Sequence, residues 1–506
     1  MKISTFDKSN NTTFADAAIL DVVLERQADT PLFEQLVQAL RQIILSGRLG
    51  AGSKLPSTRK FANELSVSRV TIVTAYDQLT AEGYIESRHG AGAFVVDGLP
   101  EEVSQVAKPL TAITPGNSFM PSNSFTPSNG GTRMPEALKP FQPTSPDMRL
   151  FPHKQWAKLL QRVWSDPHAS LLANADPLGW WPLRQQISEH LRVWRGINCQ
   201  PEQVIITSGA SEAMQTIADG LLKPGQTVAR EEPGYTLFSR VLQRSQIGVQ
   251  AVPVDDQGMS VDALANLSPQ PRCAITTPSR QYPLGITMPL ARRLQLLGWG
   301  GKQERFIIED DYDSEYRYVG QPLPALMSLA EDGTVIYLGS FSKVFSKSLR
   351  LGYMVVPQHS LSQISRAIEQ NGPNAAGLAQ PVLAQFMASG AYASHIRRMR
   401  RTYASRQKTF VGASQQHLAG LIEFEMAGGG MHLVGKLGSK LTDRMSDVEI
   451  CHRARKAGVV LVPLSENYSK TGVVSPHQQG LIAGYAGFND EELRAGVQRL
   501  AVTLSL

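Results

Sequence analysis

Lys343 ends the run Gly339-Ser340-Phe341-Ser342-Lys343, and Arg350 lies seven positions further on. A lysine is by default a surface cation, but this one follows an apolar run and sits among small hydroxyl residues. A second cluster, Glu309-Asp310-Asp311-Tyr312-Asp313, holds four carboxylates in five residues. Such a group suits a metal ion, a partner cation or a solvated loop. A third, Thr207-Ser208-Gly209-Ala210-Ser211, is a small-residue turn leading into a helical stretch. It reads as a plain strand-to-helix turn or as an anion cradle at a helix N-terminus. Together the three supply what a phosphorylated aldehyde cofactor needs. Those needs are an amine to form an imine, an arginine with backbone N–H groups for phosphate, and an acid to keep a pyridine nitrogen protonated.

Each cluster follows a short apolar run. Val204-Ile205-Ile206, Val228-Ala229, Ala274-Ile275-Thr276, Phe306-Ile307-Ile308 and Val335-Ile336-Tyr337-Leu338 are all ended by small or polar residues. Helical stretches such as Ser211 to Leu222 lie between them. Short buried strands alternating with helices predict a mostly parallel sheet in an α/β domain. Ligands of such sheets sit beyond the carboxyl ends of the strands, where the three clusters fall.

The N-terminal part has another pattern. Leu36, Leu40, Ile43 and Ile44 repeat at helical spacing within Pro31 to Leu49. Ser57 is placed to cap a short helix, Thr58 to Leu65. Ser66-Val67-Ser68 makes a turn. A second helix follows from Arg69 to Thr80, with Val70, Val73, Tyr76 and Leu79 on one face and Gly83 as its stop. Tyr84 to Ser87 and Ala93 to Val96 read as a hairpin around Arg88-His89-Gly90-Ala91-Gly92. Three helices and a β wing predict a winged helix-turn-helix, a small α+β domain. Residues 26–97 hold eight Lys or Arg against seven Asp or Glu, so total charge does not single out a nucleic acid. Position does: Lys54, Arg59, Lys60, Arg69, Arg88 and His89 fall at helix starts and on the wing. There they can meet phosphates together with helix N-terminal N–H groups. On spacing alone, a DNA reader and a helical protein-interaction domain both fit.

The chain has 506 residues and a formal charge of +6. Its composition, 42% hydrophobic and 19% charged, excludes a fibrous or wholly disordered protein. No run approaches a membrane span, and Met1 to Asn11 has no apolar core, so no secretory signal is expected. Cys199, Cys273 and Cys451 are far apart and odd in number, which argues against a disulfide framework or a cysteine zinc site. No metal is assigned, and the cytoplasm is the expected compartment. Gly98 to Pro140 is rich in Pro, Ser, Asn, Gly and Thr and contains the imperfect repeat NSFMPS–NSFTPS. It is expected to be a flexible linker, spanning roughly 35 Å as a coil. The organisation is therefore multidomain: a tail at 1–25, the winged helix at 26–97, the linker at 98–140 and the α/β domain at 141–506.

The stretch Pro31 to Val96 resembles the GntR-type winged helix domain nearly end to end. That resemblance implies operator contacts by Arg59, Ser68, Arg69, Thr71 and the wing residues His89 and Gly90. Some members carry a basic residue where this chain has Val73. From about Phe141 onward the chain resembles a fold-type I pyridoxal phosphate-dependent aminotransferase. The motifs DPLGWWPLRQQISEHLRVWRGI, VIITSGASEAM, EEPGYTLF, TPSRQYPLG, FIIEDDYDSEYRY, GSFSKVFSKSLRLGYMVVP and HIRRMRRTY occur in order. The two halves together resemble the MocR subfamily of GntR regulators. The resemblance implies pyridoxal 5'-phosphate held as an aldimine by Lys343, with Asp310 on the pyridine nitrogen. It places Tyr312 on the ring hydroxyl and Tyr235 on the ring face. Arg350, Ser340, Ser342, Gly209, Ala210 and Ser211 fall at the phosphate, and Glu309, Asp311 and Asp313 are left as solvated or capping carboxylates.

This chain departs from the aminotransferase pattern in three places. Arg280 precedes Gln281-Tyr282-Pro283, where a histidine is common. It reads as a substitute carboxylate clamp or as a surface or subunit-contact arginine. Lys347 stands where a proline is common and is expected to be exposed or near the phosphate. Gln479 to Tyr485 lacks the arginine that clamps a substrate carboxylate. The basic run Arg397 to Arg401, with Arg406 and Lys408, could bind DNA or acidic partners, but the resemblance places it on a structural helix, in a solvated or intersubunit role. The reading is a DNA-binding transcriptional regulator and homodimer. Its aminotransferase-like domain senses pyridoxal phosphate or a small amine or amino-acid effector, with at most weak transamination. The alternatives are a working aminotransferase with an appended DNA-binding domain, and a sensor of the cofactor itself.

Overall fold

The computed structural model describes residues 24–25, 30–45, 48–50, 52–88, 92–96, 138–143, 146–167, 176–301, 305–320, 323–331, 333–372, 375–469 and 478–505. Residues 1–23 of the expected tail, residues 98–137 of the expected linker, and both His89 and Gly90 lie outside them. The described residues form a small and a large compact unit.

In the small unit, helices α1 (Leu32–Leu45), α2 (Thr58–Glu64) and α3 (Arg69–Glu82) precede strands β1 (Ile85–Arg88) and β2 (Gly92–Val95). The Ser57 hydroxyl accepts the Lys60 N–H at 3.3 Å and so caps α2. Ser68 does the same for α3 through Thr71 N–H at 3.1 Å. Gly83 ends α3 at φ 80°, a left-handed turn that glycine adopts without strain. The wing strands pair antiparallel, with Ile85 opposite Val95. Leu36, Leu40, Phe61, Ile72, Tyr76, Leu79 and Val95 share one core.

The face expected for α3 needs correction. Tyr76 and Leu79 are buried, but Val70 is 72% exposed and Val73 36% exposed. Ile72 and Ala75 fill the core instead. At about 100° per residue, Ile72, Ala75, Tyr76 and Leu79 share a stripe, and Val70 lies on the far side of the helix.

The large unit is built on a sheet with strand order β3-β10-β9-β8-β7-β4-β5-β6. Its strands are β3 (Val204–Thr207), β4 (Thr227–Glu232), β5 (Gly248–Asp255), β6 (Gly258–Met259), β7 (Cys273–Thr276), β8 (Phe306–Asp311), β9 (Val335–Ser340) and β10 (Gly352–Val355). All five expected apolar runs are strands. β4, β5, β7, β8 and β9 run parallel along it. β10 is antiparallel to both neighbours, and its Gly352 sits opposite Thr207 on one side and Ser340 on the other.

Both faces of this sheet are covered. Ile205, Ile275, Ile308, Ile336 and Leu338 pack with the helix Ala210–Leu221 on one face. Ala274, Ile307 and Val335 pack with Leu296 and Trp299 on the other. Alternate residues of each strand thus go to opposite cores, as the pleat requires. A second, antiparallel sheet of order β11-β12-β14-β13 follows, from β11 (Ile422–Phe424), β12 (His432–Leu437), β13 (Val462–Pro463) and β14 (Leu481–Gly484). Among the described residues no helix is long and apolar enough to cross a membrane.

Gly339, on β9 next to the Ser340 turn, marks a close approach. A Cβ there would lie 2.2 Å from Cζ of the Tyr353 ring. Gly339→Ala should therefore lower unfolding stability by about 1–3 kcal/mol through overpacking, measured by urea unfolding. An unchanged midpoint would show that the Tyr353 ring is free to move aside.

Candidate functional site

Five strands end at one edge of the large sheet, and each delivers residues to that edge. β9 delivers Ser340 and then the single turn Phe341–Val344 with Lys343. Its parallel neighbour β8 delivers Asp310, whose backbone lies opposite Leu338. β3 leads to Gly209 at the start of the helix Ala210–Leu221. β7 leads to Arg280 and Tyr282, and β4 to Glu231 and Tyr235. Because Gly352 pairs with both Thr207 and Ser340, the Gly209 turn and the Lys343 turn are two strand spacings apart, about 10 Å.

Lys343 makes no hydrogen bond or ion pair among the described residues. Burial pushes its ammonium down to about 8 from 10.5, the Lys347 charge pushes the same way, and Asp310 and Asp313 pull back. Asp310 is 8% exposed, and its carboxylate likewise accepts no hydrogen bond among the described residues. Burial raises its carboxyl to about 7, Asp311, Glu231 and Asp313 add to the rise, and Lys343 opposes it. A buried carboxylate without a donor and a half-buried amine without an acceptor form a site that a cation and an aldehyde would complete.

A line of aromatic rings walls this site. Tyr235 meets Tyr282 edge-on at 5.4 Å, Tyr282 meets Tyr312 edge-on at 5.7 Å, and Tyr312 stacks on His432 at 6.4 Å. The Tyr312 hydroxyl accepts from Arg280 Nη1 at 2.9 Å and keeps its own proton to donate. Burial raises both Tyr235 and Tyr312 far above the ordinary phenol range. Gly209 has φ 135°, and a Cβ there would meet nothing within 4 Å, so the helix N-terminus behind it faces open space. Ala210 and Ser211 open that helix. Ser340 and Ser342 are half-buried beside Lys343. Arg350 is exposed and holds a left-handed conformation at φ 47°, ψ 48°. The expected cofactor residues are thus gathered at one edge, with Arg350 on the adjoining loop.

Three expectations are corrected. The first is the solvated reading of the carboxylates around Asp310, because all three are buried; the capping alternative holds for Glu309. Glu309 accepts Leu326 and Met327 N–H at 2.9 Å each and caps that helix. Asp311 pairs with Arg195 at 2.8 Å and accepts from the Tyr337 hydroxyl at 2.7 Å. Asp313 pairs with Arg280 at 3.3 Å. The second is the surface reading of Arg280, which is 8% exposed and also donates to the His432 carbonyl at 2.7 Å. The third is the solvated reading of part of the basic run: Arg398 and Arg401 are exposed, as expected, but Arg397, Arg400 and Arg406 are not. Arg400 donates to the Glu315 carbonyl and lies over Trp194, and Arg406 pairs with Asp147 at 2.8 Å. Burial lifts the Asp313 carboxyl to about 6 against the pull of Arg280. Lys347 is exposed, as expected.

Glu231 and His432 had no signal in the sequence. Glu231 is buried and accepts from both Thr276 and Thr277 hydroxyls, at 2.6 and 2.7 Å. His432 is buried and held neutral, first by burial and then by Arg280. Glu231 opens the EEPGYTLF motif but was given no role there, His432 lies in none of the motifs, and each meets its partners only across the fold.

In the small unit, Arg59 and Arg69 are exposed at the starts of α2 and α3. Arg69 Nε donates to Thr58 Oγ1 at 3.4 Å, which ties the two helix starts together. Ser68 and Thr71 spend their hydroxyls on each other at 2.8 Å and on the α3 cap. Arg88 lies over Phe94 at 4.6 Å on the wing.

Residues 32–95 match the family of bacterial regulatory proteins, gntR family, and residues 175–500 match aminotransferase class I and II. A probable rhizopine catabolism regulatory protein MocR of Rhizobium meliloti is 38% identical over 488 residues, 95% of either chain. The chain belongs to the GntR family of bacterial regulators, in its aminotransferase-fused MocR branch. The HTH-type pyridoxine biosynthesis transcriptional regulator PdxR of Corynebacterium glutamicum is 30% identical over 97% of this chain and 99% of its own. Among solved structures, the α-aminoadipate aminotransferase LysN of Thermus thermophilus matches with TM-score 0.65 and 26% identity, over 73% of this chain and 92% of its own. A kynurenine aminotransferase of Pyrococcus horikoshii gives 0.64 and 25%, over 73% and 91%. Membership fixes the small unit of this MocR-type chain as a DNA-binding winged helix and the large one as a fold-type I aminotransferase-like domain.

The Lys343 environment yields a pH test. The neutral amine is the nucleophile, and its fraction rises as pH passes the pKa. Labelling of Lys343 by a small aldehyde and cyanoborohydride, mapped by peptide mass spectrometry, should climb through pH of about 8. A climb only near 10.5 would contradict the burial described here.

Proposed function

We propose that this protein is a transcriptional regulator that binds an operator through its winged helix and senses through pyridoxal 5'-phosphate in its aminotransferase-like domain. The observation that carries the reading is the unpartnered pair of Lys343 and Asp310 at the edge where five strands end. When bound, the cofactor supplies an aldehyde that captures amines and a ring that withdraws electrons.

The chain's own residues do the rest. Lys343, with its depressed pKa, offers a neutral amine near neutral pH. Asp310 holds the proton on the ring nitrogen, and a cation there restores the ionisation that burial opposes. Tyr235 covers the ring face and Tyr312 donates to the ring hydroxyl. Gly209, Ala210 and Ser211 offer N–H groups, Ser340 and Ser342 offer hydroxyls, and Arg350 offers a planar fork to the phosphate. Arg59, Arg69, Ser68 and Thr71 contact the operator in this reading, and the family resemblance adds His89 and Gly90, which lie outside the described residues.

Sensing is favoured over turnover by the state of Arg280. Its guanidinium is engaged by Tyr312, Asp313 and the His432 carbonyl, so it is poorly placed to replace the carboxylate clamp lacking at 479–485. The effector is then the cofactor itself or a small amine. The working form is a homodimer. Leu160 and Trp181 support this, because both are exposed on helices packed against Gln380–Ala388.

Full-length wild type, treated with pyridoxal phosphate and borohydride, should carry the cofactor on the Lys343 peptide. Lys347→Ala should keep that adduct and Lys343→Ala should lose it. Lys343→Ala should still bind operator while losing the change in affinity that cofactor or amine produces. Retention of adduct and response in the Lys343 variant would overturn the site. Turnover with amino donors in the ordinary enzyme range of about 1–1000 per second would favour the aminotransferase reading.

A further inference from the structure

Val70 and Val73 stand out on the surface of the small unit. Val70 is 72% exposed and Val73 36%, three residues apart on the outward side of α3. Neither contributes to the core, which Ile72, Ala75, Tyr76 and Leu79 already fill. A β-branched residue gains nothing on an exposed helix surface, where its propensity is below that of alanine or lysine. Their neighbours give the strip its character. Exposed Arg69 opens it, Thr74 adjoins it, and exposed Asp77 closes it one turn further on. A carboxylate at Asp77 disfavours phosphate there, so any nucleic acid on this strip meets the first two turns of α3. Those turns enter the major groove in a helix-turn-helix.

The major groove presents one apolar group, the 5-methyl of thymine. Two residues three apart on a helix are separated by about 4.5 Å along its axis, close to the roughly 3.4 Å between successive nucleotides. We propose that Val70 and Val73 read thymine methyls on neighbouring base pairs beside the position sensed by Arg69, making α3 a reader of T-containing steps. This rests on the reading of α3 as the recognition helix.

The test uses the full chain and duplexes it selects from a randomised library. Each thymine of a selected duplex is replaced singly by deoxyuridine, which removes the methyl and no hydrogen-bonding group. Wild type should lose roughly fourfold in affinity at one or two thymines, the transfer of one buried methyl. Val70→Ala should become insensitive at one of them and Val73→Ala at the other. Both variants should keep the wild-type melting temperature, since both side chains lie outside the core. A flat deoxyuridine profile in wild type, with Arg69→Ala still weakening binding, would overturn the valine contacts and leave the recognition helix standing. Undiminished binding by Arg69→Ala would overturn the recognition helix and the valine contacts with it. If Val70→Ala left the profile intact but changed the oligomeric mass, the strip would be a protein contact and the proposal would fall.

Discussion

Successive side chains of a β-strand leave on opposite faces of the sheet, and on β8 that alternation divides a row of carboxylates. Ile307, Glu309 and Asp311 share one face, where Glu309 caps a helix and Asp311 meets Arg195 and Tyr337. Ile308 and Asp310 share the other, with Ile336, Leu338 and the helix that begins after Gly209. One strand thereby neutralises two acids against the scaffold and reserves the third for the sheet edge that carries Lys343. A slip of one residue in the register of β8 would exchange the two sets and remove the site.

The paired acids have a second consequence. Breaking a buried ion pair leaves an uncompensated charge, which typically costs about 3–5 kcal/mol. Arg280 spans the loop after β7, the Asp313 turn and the start of β12, and so ties the small antiparallel sheet to the large one. The aromatic line from Tyr235 to His432 crosses the same junction. The site is therefore held from both sheets while its two reactive groups stay unpartnered. That is a pre-formed receptor for a ligand bearing an aldehyde, a ring cation and an anion. A ligand there influences DNA binding only by favouring one arrangement of the protein over another.

Much of this was legible in the chain before any coordinates. The five apolar runs are strands because β-branched residues bounded by turn residues have few alternatives in an α/β pattern. Ser57 acts as a helix cap because the local chain alone sets that geometry. Lys343, Asp310 and the Gly209 turn were readable because each follows a strand. What escaped depended on distant partners. Nothing near Asp311 in sequence signals Arg195, and nothing near Arg280 signals Asp313, so a charged run looked solvated and a lone arginine looked superficial. On α3, apolar residue type suggested burial for Val70, whereas the angular position of Ile72 decides which side faces the core. The strands of the second sheet are short, several of two to four residues, and pair across long separations that periodicity does not report.

The central claim is that Asp310 is kept free of scaffold partners so that it can hold a protonated ring nitrogen. It is tested most directly by nitrogen-15 NMR of the full-length protein carrying ring-labelled pyridoxal phosphate. In wild type the ring nitrogen should report as protonated at neutral pH, and in Asp310→Asn as unprotonated, with cofactor still attached to Lys343. An unprotonated nitrogen in wild type, or the same signal in both proteins, would contradict the account.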